Sequence, residues 1–566
     1  MTSAAQSPED TLKSFAAWLA ALFLAALGAQ LWIVSLYGSP LPFWDQWYQA
    51  DSLFRPWKEG HLAWGDLFSA DGAHRILVTY LLDLSLISLN GRWEPLLQMT
   101  VNAFIHASFA CGLAFCLWHF LGRKNGGRVV FFLLPFFVLP YAGENAIWGI
   151  NSLWYFVNIF ALATLVGLGF AKAGSVWWWL GLAAAVLSLV TMASGLLAPL
   201  AAGGPILLRT IKTRRLEKGN VVSLAMCLLL AAIGLALSVT SVNDRSLQAH
   251  AFPEFISALI HNLAWPFFDA PLMIGLVVLP LAAVLGLYLR RDFPAGRTAE
   301  FLLGLALWSG LQSITIAYGR ANYGEGFPAS RYMDVFNILV IASLGAVVLL
   351  ARPESGSRLP RWAATWLPLI FAAVILSGLC RVSRIVVDDL LAPTRLTNLV
   401  AEERVATFLT TGDERDLLEP PTVRPDPRLA LAILRNANLQ AILPAACLPP
   451  AAPPVTGRLA AASLWLLRIA PLILAGGLIL FAGLSGYGCL RGAPGFGRGS
   501  PVGWAALLAG LIALGFVWSQ RSVSRESVEY ELQRELAAHF KSNNNPARAA
   551  IHERKAEALK AANGFK

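Results

Sequence analysis

The feature that most constrains this chain is a series of long apolar runs that recur along almost its whole length. A helix of about 20 apolar residues spans the ~30 Å hydrocarbon core of a bilayer, and only helices or closed barrels satisfy their backbone there. Hydrophobic residues make up 56% of the 566 residues and charged residues 14%, which does not suit a water-soluble globule. The sequence therefore predicts an all-α polytopic membrane protein.

Thirteen apolar runs are predicted to cross the membrane. The stretch 76–90 is not counted among them, because about 15 residues is short for a span and Asp83 lies within it. We expect this stretch to form a helix along the membrane interface. The predicted spans are residues 14–37, 95–121, 129–141, 153–171, 176–192, 196–208, 221–242, 272–289, 301–318, 335–350, 362–379, 464–486 and 502–518.

Basic residues in the loops orient the predicted spans, because Lys and Arg concentrate on the cytoplasmic side. If 76–90 also crossed, the first basic cluster would share a face with the loop that follows the first span. Without that crossing, every basic cluster falls on the cytoplasmic face: Arg123/Lys124/Arg128, Lys212/Arg214/Arg215/Lys218, Arg290/Arg291/Arg297, Arg352/Arg358/Arg361 and Arg491/Arg498. The net charge of +10 is then a signal of orientation, and no nucleic-acid partner is predicted.

The predicted spans divide the chain into four parts. Residues 1–380 form a transmembrane core, 381–463 a small extracytoplasmic segment, 464–519 two C-terminal spans, and 520–566 a polar tail whose alternating charges are typical of a solvated helix. Cys380 and Cys447 both fall on the non-cytoplasmic face, where a disulfide could persist.

Two acidic residues lie beside tryptophan in loops on the non-cytoplasmic face. Asp45 lies between Trp44 and Trp47 directly after the first span, and Glu144 precedes Trp148. Either motif alone could belong to an interfacial aromatic belt. Charged groups are costly near the hydrocarbon edge, however, so their recurrence on one face favours a functional site.

Cationic side chains gather on the same predicted face. An Arg guanidinium binds phosphate oxygens at two points and keeps its charge, so converging arginines suit a lipid-phosphate head group. The simpler alternative is an ordinary ion pair, Arg331 with Asp334 or Arg320 with Glu325. The candidates are His74, Arg75, Arg320 and Arg331, the last of which is followed by Tyr332.

A carboxylate near phosphate-binding cations provides the functional groups that glycosyl transfer from a lipid-phosphate sugar requires. The attacking hydroxyl requires a base for its proton, and the leaving phosphate requires positive charge. Hydrolysis of a glycoside would instead usually require a close pair of carboxylates.

The order of a first span, an aromatic-Asp loop, interfacial helices and a His-Arg pair resembles the GT-C class of membrane glycosyltransferases over about residues 14–379. More narrowly, four blocks resemble bacterial members of this class. They are Trp44-Asp45-Gln46-Trp47, His74-Arg75-Ile76, Glu144-Asn145 with Trp148-Gly149, and Ser330-Arg331-Tyr332.

The resemblance implies a polyprenyl-phosphate sugar as donor and an envelope glycan or lipid as acceptor, with the active site on the outer face of a bacterial inner membrane. It implies that Asp45 is the base for the acceptor, or positions it, and that Glu144 assists. The substrate-binding residues that follow from it are Trp44, Trp47, His74, Arg75, Arg320, Arg331 and Tyr332.

The chain departs from this class at one point and leaves metal dependence open. Relatives often carry Glu directly before His-Arg, whereas this chain has Ala73 there and Asp71 two residues earlier. Some GT-C enzymes hold a divalent metal between loop carboxylates. Asp45 and Glu144 could do so, but no spacing of His and Asp requires it, so no cofactor is predicted.

Three other functions stay open. A transporter or flippase for a lipid-linked saccharide would use the same cations, although an internal repeat or broken helices would be more natural for it. An envelope glycan ligase is chemically close but usually relies less on a first-loop Asp. The third alternative is a scaffold without catalysis.

Overall fold

The apolar runs fold into helices, and the part of the chain described by the computed structural model contains no β-strand. The all-α prediction is thereby confirmed. Eleven helical segments of the described chain are long and apolar enough to cross a membrane, which supports a polytopic membrane protein. The structure describes residues 8–70, 72, 74–123, 126–238, 242–290, 293–322, 328–352, 360–418, 426–448, 457–491, 500–519, 525–542 and 545–563.

The helices are numbered in chain order. The first third contains α1 (Pro8–Tyr37), α2 (Asp45–Gln49), α3 (Arg55–Lys58), α4 (Trp64–Leu67), α5 (Leu77–Asn90), α6 (Pro95–Leu121), α7 (Gly126–Val138), α8 (Gly143–Ile147) and α9 (Ser152–Phe170). The middle contains α10 (Val176–Leu189), α11 (Leu197–Thr213), α12 (Lys218–Leu237), α13 (Val242–Leu247), α14 (Phe252–Leu263), α15 (Ile274–Tyr288), α16 (Gly296–Gly319), α17 (Met333–Leu350) and α18 (Arg361–Val386). The last third contains α19 (Ala392–Thr411), α20 (Arg415–Leu418), α21 (Pro427–Arg435), α22 (Ala437–Gln440), α23 (Arg458–Arg468), α24 (Ala470–Arg491), α25 (Pro501–Ser519), α26 (Arg525–Ser542) and α27 (Pro546–Asn563).

The eleven long apolar segments correspond to eleven of the predicted spans. The other two predicted spans are the shorter apolar helices α10 and α25. Helix α5, which we expected along the interface, has 14 residues, and so does α10. Because length does not distinguish these two helices, the count of thirteen spans stays a prediction.

Helix ends that carry described residues from four of the predicted cytoplasmic clusters, Arg128, Lys212, Arg297 and Arg352, meet at one end of the helix bundle, which we call the basic end. Arginine and lysine side chains there bind carbonyl oxygens exposed at helix termini, an arrangement that the helix dipole favours. The contacts to helix ends are Arg352 to the Leu121 carbonyl, Arg297 to the Phe170 carbonyl at 3.1 Å and Arg209 to the Gly169 carbonyl at 3.3 Å. Lys212 also donates to the Phe293 carbonyl ahead of α16 at 3.4 Å, and Arg209 forms an ion pair with Glu300 at 2.7 Å. They join the end of α17 to the end of α6, and the ends of α9 and α11 to the start of α16.

At the opposite end, the loop after α1 packs against the segment between α18 and α23. The Trp93 amide donates to the Ile442 carbonyl at 2.8 Å, and Asn438 donates to Glu59 at 3.4 Å. Both parts of the chain contribute to one hydrophobic cluster. The segment 381–463 therefore covers the first loop and shares its core. Neither Cys380 nor Cys447 is in a disulfide; Cys380 is exposed and Cys447 is buried.

Helices α18 and α19 form one continuous helical segment of 50 residues, Trp362–Thr411. A π-helical turn, Val387–Leu391, joins the two helices. Leu391 of this turn packs against Gly143 at the start of α8, where a Cβ atom would lie only 2.9 Å from the leucine side chain. The segment therefore touches the short helix that carries Glu144.

The C-terminal helices α26 and α27 pack on α19 as a hairpin. Apolar residues of α26 form a small cluster with Leu399 of α19. Arg395, which is 1% exposed, pairs with both Glu402 and Glu529. Because Glu402 also accepts a 2.8 Å hydrogen bond from Ser39, the polar tail lies at the same end of the bundle as the first loop.

Candidate active site

The aromatic-Asp loop is built on a strained turn. Trp44 has a φ of 47° and a ψ of −114°, a conformation that residues other than glycine rarely adopt and that is often found at functional sites. The fully buried side chain of Gln46 accepts a 3.1 Å hydrogen bond from the Phe43 amide and donates to Gln98 at 2.8 Å. This buried amide holds the turn that places Asp45 at the start of α2.

Beneath the turn, buried amide side chains surround Asp83. This carboxyl is 1% exposed and accepts hydrogen bonds from Gln49 at 2.6 Å and from Gln98 at 2.5 Å. Trp93 completes the network by donating to Gln98 at 2.8 Å. From the sequence, Asp83 served only as evidence that residues 76–90 do not span the membrane. In the structure this residue joins α5 to both α2 and α6.

Burial raises the pKa of Asp83 to about 7, although the hydrogen bonds from Gln49 and Gln98 act in the opposite direction. A carboxyl with a raised pKa in the folded state costs stability once it is charged, so stability should fall as pH rises from about 4 toward 7. We expect Asp83→Asn to remove this loss of thermal stability, and the partnerless Gln49 oxygen can accept the new amide donor. Melting temperatures at several pH values measure the effect. Asp51→Asn, at a partly exposed ion pair in the same loop, should retain the wild-type pH dependence. An unchanged profile in Asp83→Asn would contradict this account.

Glu144 and Arg331 form an ion pair between α8 and the 3-10 turn Ser330–Tyr332. Their side chains are 13% and 15% exposed. The Arg331 amide also donates to Glu144 at 3.3 Å, and Ser330 donates to it at 3.4 Å. Among the described residues, Arg331 pairs with Glu144 and no ion pair joins it to Asp334. Glu325, the predicted partner of Arg320, lies outside the described residues.

Buried amides hold this ion pair in place. Asn145 donates to Asp334 at 2.9 Å and to the Arg331 carbonyl at 3.0 Å. Asn151 donates in turn to the Asn145 oxygen at 3.2 Å. Asp334 therefore fixes the geometry of the pair from the first turn of α17.

Asp45 lies beside this pair. Burial raises the pKa of the Asp45 carboxyl, the positive charge of Arg331 lowers it, and the negative charge of Glu144 raises it. The three charged groups are thus close enough to act on one another. Asp45 accepts no hydrogen bond from the residues that the structure describes. Its partly buried carboxylate is therefore available to a substrate hydroxyl.

Aromatic rings connect the two acidic motifs. The Trp148 indole donates to the Phe43 carbonyl at 3.1 Å, and their rings meet edge to face at 5.5 Å. The Arg331 guanidinium lies 6.0 Å from the Trp148 ring centroid. Trp44 is 37% exposed and can reach a ligand, whereas Trp47 is fully buried. The structure gives Trp47 a packing position beneath the loop, and its predicted contact with substrate has no support in this geometry.

Tyr332 connects the ion pair to a cavity of about 270 Å³ that is also lined by Arg320. The Arg331 guanidinium lies 5.0 Å from the centroid of the Tyr332 ring and donates to its hydroxyl at 3.3 Å. On the other side of the tyrosine, Glu254, His261 and Asn262 join Arg320 in the cavity wall.

The His-Arg pair contacts another part of the chain. The Ala193 amide donates to His74 at 3.4 Å, and Arg75 donates to the Leu237 carbonyl at 3.3 Å. These bonds tie the pair to the segment before α11 and to the end of α12. Asp71 and Ala73, where the chain departs from the GT-C pattern, lie outside the described residues.

The candidate site thus unites Asp45, Glu144, Arg331 and Tyr332, with Trp44 and Arg320 next to them. Within the described residues, no group of three or more His, Cys, Asp or Glu side chains could hold a metal ion. Glu144, one of the two carboxylates considered as metal ligands, is already paired with Arg331.

The fold and this geometry define a polytopic α-helical membrane protein with a carboxylate and guanidinium site at one end of its bundle. Comparison with protein-family models, curated proteins and solved structures finds no match to the chain.

Proposed function

We propose that this protein is a GT-C-like membrane glycosyltransferase that moves a sugar from a polyprenyl-phosphate carrier to an envelope glycan or lipid. The observation that carries the proposal is the position of Asp45. Its carboxylate has no hydrogen bond from the described residues, has a raised pKa, and lies beside the Glu144–Arg331 pair. A carboxylate whose pKa is raised toward the working pH is suited to general-base catalysis.

In the proposed reaction, an oxygen of Asp45 takes the proton of the acceptor hydroxyl. The hydroxyl oxygen forms a bond to the anomeric carbon of the donor sugar, and the bond from that carbon to the phosphate oxygen breaks. The phosphate leaves with the electron pair and remains on the lipid. Arg331, held by Glu144, and Arg320 in the neighbouring cavity would stabilise its negative charge.

The proposed face is the non-cytoplasmic side of a bacterial inner membrane. The site lies at the end of the bundle opposite the basic end, and the positive-inside rule assigns basic loops to the cytoplasm. Fusion of an exported reporter at residue 150 or 210 tests this orientation. We expect reporter activity at 150, and activity at 210 alone would reverse the assignment.

The function is tested by incubating the full chain in lipid discs with a panel of polyprenyl-phosphate sugars and an envelope extract. Mass spectrometry follows the loss of donor and the appearance of product. We expect transfer or slow donor hydrolysis by the wild type, reduced about 10²- to 10⁴-fold in Asp45→Asn, as for loss of a general base. The control, Asp51→Asn, changes a partly exposed carboxylate of the same loop that pairs with Arg55.

Equal turnover by wild type and Asp45→Asn would exclude Asp45 as the base. Tight donor binding without turnover in either protein would instead favour a transporter or flippase, because such a protein uses the cations without the chemistry.

A further inference from the structure

A cavity of about 370 Å³ lies at the basic end of the bundle, between α6, α7, α17, α18 and α25. None of the residues of the candidate active site lines it. Its walls are mostly apolar, and its polar side chains include two arginines, Arg128 and Arg352, with Thr365 and Ser500.

The polar and apolar parts of this cavity are separated along the helices. Arg128 lies in the first turn of α7, Arg352 lies two residues after the end of α17, and Ser500 directly precedes α25. Apolar wall residues lie one to two turns farther along the same helices, at Phe132 in α7 and Leu344 in α17. The cavity is thus amphipathic, with a polar region at the membrane boundary and an apolar wall facing inward.

The polar region is positively charged. Arg352 is fixed by its hydrogen bond to the Leu121 carbonyl. Arg128 is exposed and has neither a hydrogen bond nor an ion pair with any residue that the structure describes. In the neighbouring stretches 122–128, 351–361 and 490–501, Glu354 is the only acidic residue among several Arg and Lys.

We propose that this cavity binds an anionic phospholipid of the membrane. Its phosphate would lie between Arg128 and Arg352, and one acyl chain would follow the apolar wall past Phe132. A guanidinium binds phosphate oxygens through several donors, and basic pockets between membrane helices bind anionic head groups. A soluble anion would leave the apolar wall unused, whereas a zwitterionic lipid would bring a positive group to the arginines.

Native mass spectrometry of the full chain, released from discs that contain phosphatidylglycerol and phosphatidylcholine, tests this site. We expect the wild type to retain phosphatidylglycerol preferentially, and Arg128→Gln to weaken that retention about tenfold, equivalent to about 1.4 kcal/mol. Arg215→Gln is the matched control, because this exposed arginine between α11 and α12 does not line the cavity. It should retain the lipid as the wild type does.

A second variant, Ala364→Trp, fills the cavity from α18 without changing its charge. It should also displace the lipid, and it covers the case in which Arg128→Gln does not fold. Three results would overturn the proposal: equal retention of both lipids by the wild type, unchanged retention in both variants, or displacement of the lipid by millimolar inorganic phosphate.

Discussion

Substitution of Arg331 by methionine is expected to lower the free energy of unfolding by about 3–5 kcal/mol. The reason is that Glu144, only 13% exposed, would be left in a largely buried site without the guanidinium that pairs with it. Transfer activity should fall in the same variant, because the proposed phosphate ligand is lost. Thermal or denaturant unfolding in detergent and the donor assay measure the two effects.

The double variant Arg331→Met/Glu144→Gln separates stability from catalysis. Removal of both charges should restore most of the lost stability, since no uncompensated charge remains, but it should not restore transfer. If the double variant loses as much stability as the sum of the single variants, the ion pair is not coupled as described. If it recovers activity as well, Arg331 has no role in binding the donor phosphate.

Substitution of Glu144 by glutamine is expected to move the acidic limb of the pH profile of kcat/KM to lower pH. The Glu144 charge raises the pKa of Asp45, so its removal lets Asp45 lose its proton at lower pH. Arg331→Gln should move the same limb to higher pH, because the Arg331 charge lowers that pKa. Shifts of about one pH unit correspond to about 1.4 kcal/mol and a tenfold difference in rate on the acidic side.

The opposite signs of these two shifts are the discriminating observation. A loss of rate without a shift in either variant would show that Asp45 does not titrate in the rate-limiting step. Asp66→Asn changes an exposed carboxylate that caps α4 in the same loop. In this variant the acidic limb of the kcat/KM profile should stay at the wild-type pH.

Much of the architecture follows from local sequence. Apolar runs long enough to span a bilayer became helices. Described residues from four of the five basic clusters, namely Arg128, Lys212, Arg297 and Arg352, lie at one end of the bundle. These features depend on residues close together in the chain, which is why periodicity and loop charge were sufficient to predict them.

The connections within the candidate site were not predictable in the same way. Asn145 and Asp334 are 189 residues apart, and nothing in the sequence indicated that Arg331 would pair with Glu144 rather than with nearby Asp334. The amide network around Asp83 was also missed, although a carboxyl within an apolar helix was the signal that could have revealed it. Trp47 illustrates the converse difficulty, because a tryptophan in a motif is equally suited to packing and to binding.

The 50-residue helical segment Trp362–Thr411 would be about 75 Å long at 1.5 Å per residue, more than twice the ~30 Å core of a bilayer. Its second half packs over the first loop, and its π-helical turn places Leu391 against Gly143, next to Glu144 of the Glu144–Arg331 ion pair. Tilting of its first half in the membrane would therefore move Leu391 and, through it, the short helix α8. Under the proposed function, bilayer thickness and lateral pressure would in this way change the access of a lipid-linked donor to the site.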